Sequence, residues 1–158
     1  METRMLTTEE MKEIEAEAVN YQEKNSACID ALKIVQRHRG WVSDEGLEDI
    51  ANYFGMKLDE VDSIATFYNL IFRKSVGRHV ILLCDSISCW VMGYESIRAC
   101  LNQRLGIDFG GTTTDQRFTL LPVPCLGTCD RAPAMMIDED LHCDLEPQKI
   151  DRILEEYR

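Results

Sequence analysis

Four of the seven cysteines fall into two pairs whose spacing suits metal chemistry. Cys84 and Cys89 have four residues between them, and Cys125 and Cys129 have three. The first pair lies at the end of one predicted strand and the second just past another, so both pairs extend into loops. Pairing of the two strands in a sheet can bring these loops side by side. Four thiolates that converge from two loops form a closed site of soft ligands, which suits an iron–sulfur cluster or zinc.

The spacing leaves the identity of the metal open. Four cysteines also hold structural zinc, with two to four residues inside each pair. A thioredoxin-type redox pair needs C-x-x-C, and the sequence contains no such motif. Gly127 allows the second loop to turn sharply and exposes backbone N–H groups that can donate to cluster sulfides. Iron–sulfur and zinc interpretations both stand at this point.

The other three cysteines, Cys28, Cys100 and Cys143, each lie alone in an apolar-periodic segment, and we predict that they are core residues. An odd number of cysteines fits a disulfide framework poorly. The stretch from Met1 to Asn20 is acidic and helical in pattern and lacks the apolar stretch of an export signal. These features favour metal binding in a reducing, cytoplasmic compartment.

Composition excludes several classes of protein. The chain has 158 residues, is 45% hydrophobic and carries a formal net charge of −11. The apolar content is too high for a disordered protein, and the acidic balance argues against nucleic acid as a partner. The longest apolar runs, such as that from Val80 to Cys84, are too short to span a bilayer.

The periodicity divides the chain into residues 1–75 and 76–158, and the first part is helical. Thr7 and Glu10 form a possible capping box for one helix, and Asn25 or Ser26 can cap the next. Ser43 can cap a third helix, which ends at Gly55. The fourth begins near Asp59, and its predicted buried residues are Val61, Ile64, Ala65, Tyr68 and Leu70. We expect a small helical bundle without a catalytic spacing.

The second part alternates strands and helices. The predicted elements are a strand from His79 to Cys84, a helix from Gly93 to Leu105, strands over 118–123, 134–138 and 141–145, and a final helix that begins at Pro147. This order predicts a small α/β sandwich, and the whole chain is therefore of the α+β class.

The sequence lacks the motifs of a complete active site. A G-x-G-x-x-G turn between a strand and a helix is absent, which argues against an NADH or flavin site on this chain. Nothing resembles a nucleophile–base pair. We interpret His38 and His142 as surface residues and His79 as structural. This chain alone is therefore not expected to hold a complete active site.

A series of motifs along the chain resembles one protein family. The motifs are Gly40-Trp41-Val42, Val61-x-x-Ile64-Ala65-Thr66-Phe67-Tyr68, Val76-Gly77-Arg78-His79-Val80-Ile81, Cys84-x4-Cys89-Trp90, Phe118-Thr119-Leu120, Cys125-Leu126-Gly127-x-Cys129-Asp130 and Ala132-Pro133. Together they resemble the E subunits of bacterial NADH-quinone oxidoreductase, respiratory complex I, whose mitochondrial counterpart is the 24-kilodalton flavoprotein subunit. One departure is Glu146, which stands where the family often has Thr and weakens the cap of the last helix.

The resemblance implies a helical docking domain over 1–75 and a thioredoxin-like domain over 76–158. It implies one [2Fe–2S] cluster held by Cys84, Cys89, Cys125 and Cys129. The implied partner is the flavin-bearing F subunit, which holds FMN and the NADH site, and the implied function is transfer of electrons, with the cluster accepting an electron from the reduced FMN. The implied location is the peripheral arm of the complex, at the cytoplasmic face of the inner membrane, without insertion into the bilayer.

Two functional questions stay open in the sequence. The equivalent subunit of an NAD-linked hydrogenase or formate dehydrogenase would show nearly the same motifs, and a zinc-stabilised interaction module would show the same four cysteines. For an iron–sulfur site, Asp85 and Asp130 flank ligands in an acidic chain, which predicts a low reduction potential. Trp90 follows Cys89 and is interpreted as a shield for the site, a contact for the partner, or a core residue.

Overall fold

The computed structural model describes residues 6–157, which form two compact units that divide between Ser75 and Val76. The first unit contains four helices: α1 (Thr8–Ala18), α2 (Cys28–Arg39), α3 (Asp44–Phe54) and α4 (Leu58–Phe67). The second contains β1 (His79–Cys84), α5 (Ile87–Val91), α6 (Tyr94–Leu105), β2 (Phe118–Val123), β3 (Met135–Ile137), β4 (Asp140–His142) and α7 (Pro147–Glu156). The helical pattern predicted from Met1 onward is described only from residue 6, because residues 1–5 lie outside the described part.

Local capping fixes the ends of the first helices. The Thr7 hydroxyl accepts a hydrogen bond from the Glu10 N–H at 3.1 Å, and the Glu10 carboxylate accepts one from the Thr7 N–H at 2.8 Å. This confirms the predicted capping box. Ser43 caps α3 by accepting from the Gly46 N–H at 3.2 Å, and Gly55 ends α3 in the left-handed conformation, also as predicted.

Two expectations for the helical unit are wrong. Neither Asn25 nor Ser26 caps α2, because both lie in a 3₁₀ turn (Lys24–Ala27) that leads directly into the helix. Helix α4 ends at Phe67, so Tyr68 and Leu70 lie beyond it and remain 42% and 50% exposed. The apolar spacing continued past the last helical turn, and spacing alone cannot distinguish a buried apolar residue from an exposed one.

The second unit is built on a mixed sheet in the order β2-β1-β3-β4. Strands β1 and β2 pair in parallel, from His79 opposite Phe118 to Cys84 opposite Val123. On its other side β1 pairs antiparallel with β3, which pairs antiparallel with β4. Helices α6 and α7 pack against each other, and the unit's fully buried side chains come from both the sheet and these helices: Ile81, Leu83, Ile97, Leu101, Leu120, Met135, Ile137 and Ile150.

The sheet follows the predicted order of strands with small differences. Strands β1 and β2 have the predicted bounds. Strand β3 ends at Ile137 because Asp138, with φ of 53°, begins the turn, and β4 starts one residue earlier than predicted and ends at His142, before Asp144 with φ of 50°. Pro147 opens α7, and Glu146 makes no side-chain cap, as its departure from Thr suggested. Helix α5 was not predicted.

Gly77 fixes the approach of β1 to β2. Its N–H donates to the Thr119 hydroxyl at 2.6 Å, and a Cβ at this position would lie 2.9 Å from the Phe118 carbonyl carbon. Only a glycine therefore fits against this stretch of β2. Among residues 6–157, no helix is both long enough and apolar enough to cross a bilayer.

Candidate metal centre

The first cysteine pair is buried at the end of β1. Cys84 is the last residue of that strand and Cys89 lies in α5, and each is only 3% exposed. The Cys84 N–H donates to the carbonyl of Ala134 and the Asp85 N–H to that of Val123. The loop is thus held from both neighbouring strands, which leaves its thiols little freedom to move.

The second pair lies in the exposed loop after β2. The Sγ atoms of Cys125 and Cys129 are 3.9 Å apart. Gly127 adopts a φ of +80° and donates its N–H to the Cys125 Sγ at 3.3 Å. Cys129 begins a 3₁₀ turn that ends at Arg131. The sharp turn predicted for Gly127 is therefore present, and its N–H points to a thiol.

The parallel pairing of β1 and β2 brings the two pairs together. The Cys84 Sγ lies 4.0 Å from the carbonyl oxygen of Pro124, the residue before Cys125. The Cys84 thiol lies within hydrogen-bond reach of the thiols of Cys89 and Cys125. Cys129 is close enough to Cys89 for an electrostatic interaction between them. All four predicted ligands therefore belong to one linked group of thiols.

The four thiols offer the donor set of a two-iron cluster. Within residues 6–157, no three His, Cys, Asp or Glu side chains are arranged to hold a single metal ion. The thiols come from two loops, with two cysteines in each. A [2Fe–2S] cluster takes two cysteines on each of its two irons, so this donor set suits that cluster.

The two pairs differ in their electrostatic surroundings. Burial, followed by the hydrogen bond with Cys84, raises the pKa of Cys89 to about 11. The Gly127 N–H, followed by Cys129, lowers the pKa of Cys125. Because thiolates are the metal ligands, the lowered pKa of Cys125 favours metal binding, whereas the raised pKa of Cys89 opposes it.

The remaining cysteines are placed differently from one another. Cys28 lies in the core of the helical unit, as predicted, and burial raises its pKa to about 11. The prediction of core positions is wrong for Cys100 and Cys143, which are half-buried. The Cys100 Sγ lies 3.6 Å from the carbonyl of Pro147, and Cys143 lies beside Arg131. Nearby apolar residues, Leu101 beside Cys100 and Leu145 beyond Cys143, are buried, while the two cysteines lie at the edge of the core.

Large apolar side chains lie exposed on α5 and at its C-cap, next to Cys89 in the sequence. Trp90 is 57% exposed, and Ile87, Val91 and Met92 are exposed to a similar or greater degree. These four residues form what we call the α5 patch. Trp90 is thus not a core residue. The patch was missed in the sequence because α5 is too short to show helical periodicity.

The three histidines have structural partners. The His79 ring nitrogen Nδ1 lies 2.6 Å from a carboxylate oxygen of Asp138. His142 contacts the hydroxyl of Tyr157 at 2.9 Å and is half-buried rather than on the surface, while the exposed His38 contacts Glu13. None of these contacts involves one of the four grouped thiols.

Comparison with known proteins identifies the family of this chain. Residues 14–158 match the model of the thioredoxin-like [2Fe–2S] ferredoxin family. The chain is 50% identical over 153 residues to the E subunit of NADH-quinone oxidoreductase from Escherichia coli strain K12, covering 97% of this chain and 92% of that protein. The protein of the same name from Pseudomonas aeruginosa is 48% identical, with the same coverage of both chains.

A solved structure shares the fold. The crystal structure of an NAD⁺-reducing [NiFe]-hydrogenase in the air-oxidised state matches 80% of this chain with a TM-score of 0.69 and 24% identity. The match covers 22% of the hydrogenase chain, so the shared fold is one part of a larger protein. With most of the chain matched by the family model and about half of its residues shared with curated relatives, this protein belongs to the thioredoxin-like [2Fe–2S] ferredoxin family, among the E subunits of NADH-quinone oxidoreductase.

Proposed function

We propose that this chain is the electron-transfer subunit of an NADH-quinone oxidoreductase and binds one [2Fe–2S] cluster through Cys84, Cys89, Cys125 and Cys129. The observation that carries the proposal is the linked group of four thiols, two from each loop, at the end of paired parallel strands. When bound, such a cluster supplies a one-electron acceptor. The chain's own part is to hold the four thiolates and to set their surroundings.

The electron donor in this proposal is reduced FMN on a flavin-bearing F subunit, which also holds the NADH site. The α5 patch supports a contact there, because Cys89 and the exposed Trp90 are neighbours on one short helix. Exposed large apolar residues close to a redox site favour a protein partner over water. Asp85 and Asp130 add an acidic rim, so we expect basic residues on the facing surface of the partner.

The helical unit has the role of a docking domain in this proposal. Phe67 is 80% exposed and is followed by the half-exposed Tyr68 and Leu70, an apolar stretch that suits burial against another subunit. The assembly is proposed to place this chain on the peripheral arm, at the cytoplasmic face of the inner membrane. Assembly with other subunits is supported by the names of the curated relatives, which are subunits of one oxidoreductase.

The alternative functions receive less support. The family match names a [2Fe–2S] ferredoxin, which disfavours a zinc module. The likeness to the hydrogenase chain concerns the fold, whereas the curated relatives at about 50% identity are respiratory subunits. The respiratory assignment is therefore the one that we adopt.

The direct test is to purify the protein anaerobically and to measure its metal content, visible absorption and electron paramagnetic resonance. We expect two irons and two sulfides per chain, together with a signal that appears on one-electron reduction. A colourless protein with one zinc per chain would overturn the redox function.

Substitution of single cysteines tests the four ligands. We expect Cys84→Ser and Cys129→Ser to lose the [2Fe–2S] spectrum, because each removes a thiolate from one pair. Cys100→Ala and Cys143→Ala are matched controls from the same unit and should keep it, as should Cys28→Ser in the helical unit. Normal iron content and spectrum in Cys84→Ser would contradict the assignment.

The proposed contact is tested by co-expression with the F subunit. Trp90→Glu should abolish co-purification while leaving the spectrum of the cluster intact, because it places a charge in the α5 patch. Leu141→Glu is the control, since Leu141 is 43% exposed on β4 and lies outside the patch. Equal loss of co-purification in both variants would place the contact elsewhere.

A further inference from the structure

The second cysteine loop contains a buried hydroxyl without a partner. Among residues 6–157, three buried side-chain atoms make no hydrogen bond: His79 Nε2, Asn102 Oδ1 and Thr128 Oγ1. His79 and Asn102 each bond through their other polar atom, to Asp138 and Asp108. Thr128 has no other polar atom in its side chain, so its entire hydrogen-bonding capacity is unused.

This unused hydroxyl belongs to the residue that directly precedes the predicted ligand Cys129. Thr128 lies between that cysteine and Gly127, which donates to the Cys125 thiol. An unpaired buried hydroxyl destabilises a folded chain, so a residue of this type in this position calls for a partner. A cluster held by Cys125 and Cys129 would bring sulfur acceptors to this loop.

Thr128 is also not used for the local role that its residue type usually has. It is the N-cap residue of the 3₁₀ turn from Cys129 to Arg131, and threonine in such a position commonly accepts a backbone N–H. Here its side chain makes no capping hydrogen bond. The hydroxyl is therefore available to donate to another acceptor.

The first cysteine loop repeats this pattern. Ser86 is the N-cap residue of α5, and it too makes no side-chain capping bond. Both cysteine loops thus contain a hydroxyl that does not cap the helix or turn that follows it.

We propose that the Thr128 hydroxyl donates a hydrogen bond to a sulfur atom of the bound [2Fe–2S] cluster and raises its reduction potential. This inference rests on the proposed function, since it requires a cluster on the four cysteines. Reduction adds one negative charge to the cluster, and a donor to sulfur stabilises the more negative form. Thr128 therefore opposes the effect of the neighbouring carboxylates of Asp85 and Asp130.

The test compares Thr128→Val with Thr128→Ser in the cluster-loaded protein. Valine keeps the shape and removes the donor, while serine keeps the donor. At a fixed potential we expect Thr128→Val to lower the ratio of reduced to oxidised cluster about tenfold, which corresponds to a midpoint about 59 mV more negative. Thr128→Ser should stay close to the wild type. Thr114→Val is the control, because Thr114 is exposed in the segment that precedes β2.

A second readout detects the hydrogen bond itself. Resonance Raman spectra in H₂O and D₂O should show a deuterium shift of an iron–sulfur band in the wild type and in Thr128→Ser, and a smaller shift in Thr128→Val. If Thr128→Val loses the cluster, Thr128→Ala is measured in the same way. An unchanged midpoint and an unchanged deuterium shift in the donor-free variant would overturn this inference, whereas failure of the proposed function would already be evident as a wild-type protein without a [2Fe–2S] spectrum.

Discussion

In the helical unit both carboxylate oxygens of the fully buried Glu10 are bonded, whereas in the sheet unit the buried hydroxyl of Thr128 has no partner. Glu10 accepts from the Arg39 guanidinium at 2.7 and 2.8 Å and from the Thr7 N–H. All of the unpaired buried side-chain atoms found among residues 6–157 belong to the sheet unit. The helical unit satisfies the buried Glu10 with its own side chains, whereas the sheet unit leaves the Thr128 hydroxyl, for which the proposed cluster would be a partner.

The two units therefore differ in how much of their folding free energy depends on a bound ligand. The thiols of the sheet unit gain their full set of interactions only when metal binds, so binding energy there is also folding energy. The buried Glu10 of the helical unit needs no ligand, because it forms an ion pair with Arg39. Four experiments test this difference between the units.

Removal of the cluster should weaken the sheet unit selectively. Hydrogen exchange measured by mass spectrometry should accelerate about 100-fold or more in 84–91 and 125–131, corresponding to about 2.7 kcal/mol of lost ligand stabilisation. Exchange in α1 to α3 should stay within about threefold of the loaded protein. Equal acceleration in both units would show that the cluster stabilises the chain as a whole.

Substitution Glu10→Gln should destabilise the helical unit by about 2–3 kcal/mol at neutral pH, because it leaves a partly buried Arg39 with a weaker partner. Urea unfolding followed by far-ultraviolet circular dichroism measures this change. Glu13→Gln on the same helix is the control and should cost less than about 1 kcal/mol, since the Glu13 pairs with Arg37 and His38 are exposed.

The same variant carries a pH signature. Burial opposes ionisation of Glu10, but the bonds from Arg39 and Thr7 outweigh it and lower the pKa of this carboxyl below 4.5. Its contribution is therefore complete above pH 4.5 and is lost as the pH falls through the folded-state pKa. The difference between wild type and Glu10→Gln should shrink below pH 4.5. A constant difference across that range would contradict the ion pair as its source.

Glycine-to-alanine substitutions should have opposite effects in the two units. Gly77→Ala forces a Cβ against the backbone of Phe118 and should destabilise the sheet unit by about 1–3 kcal/mol, with weaker retention of iron. Gly46→Ala in α3 meets only ordinary contacts, the nearest at 3.5 Å, and should be neutral or stabilising by up to about 1 kcal/mol. Thermal unfolding of the two variants, together with their iron content, measures both effects.

The smallest effect is expected from the acidic rim. Asp85→Asn and Asp130→Asn should each raise the midpoint potential by the equivalent of less than about 1 kcal/mol, because both carboxylates are exposed to water. The shift should shrink at high ionic strength, where exposed charges are screened. Glu155→Gln is the control, since Glu155 lies beside Phe118 at the other end of β2. Potentiometric titration in which neither Asp variant differs from this control would refute the electrostatic account.

Much of the fold follows from local signals that the sequence states directly. Thr7 with Glu10, Ser43 and Pro147 mark helix starts through their own hydrogen bonds or fixed geometry, and all three lie where they were predicted. Strands β1 and β2 were predicted with correct bounds, and each leads directly into a cysteine loop. The convergence of the four thiols follows from these two strands.

The features that were missed depend on tertiary structure. Tyr68 and Leu70 continue the apolar spacing of α4, yet the chain leaves the helix at Phe67. Helix α5 has only five residues, too few for periodicity to indicate it. The role inferred for Thr128 depends on the lack of a capping hydrogen bond from its side chain, which is visible only in the three-dimensional structure. Residue type alone would have assigned this threonine to an ordinary N-cap.

The parallel pairing of β1 and β2 also sets the order of events while the chain is being made. The ribosome releases Cys84 and Cys89 before α6 and β2 have been synthesised, so the first pair of thiols at that stage has no second pair beside it. The four-cysteine site comes into being only after β2 has paired with β1 and the loop that follows it has folded. In the proposed function, delivery of iron and sulfide to the four cysteines would therefore follow sheet formation, and a nascent chain that ends before Val123 offers only the first pair.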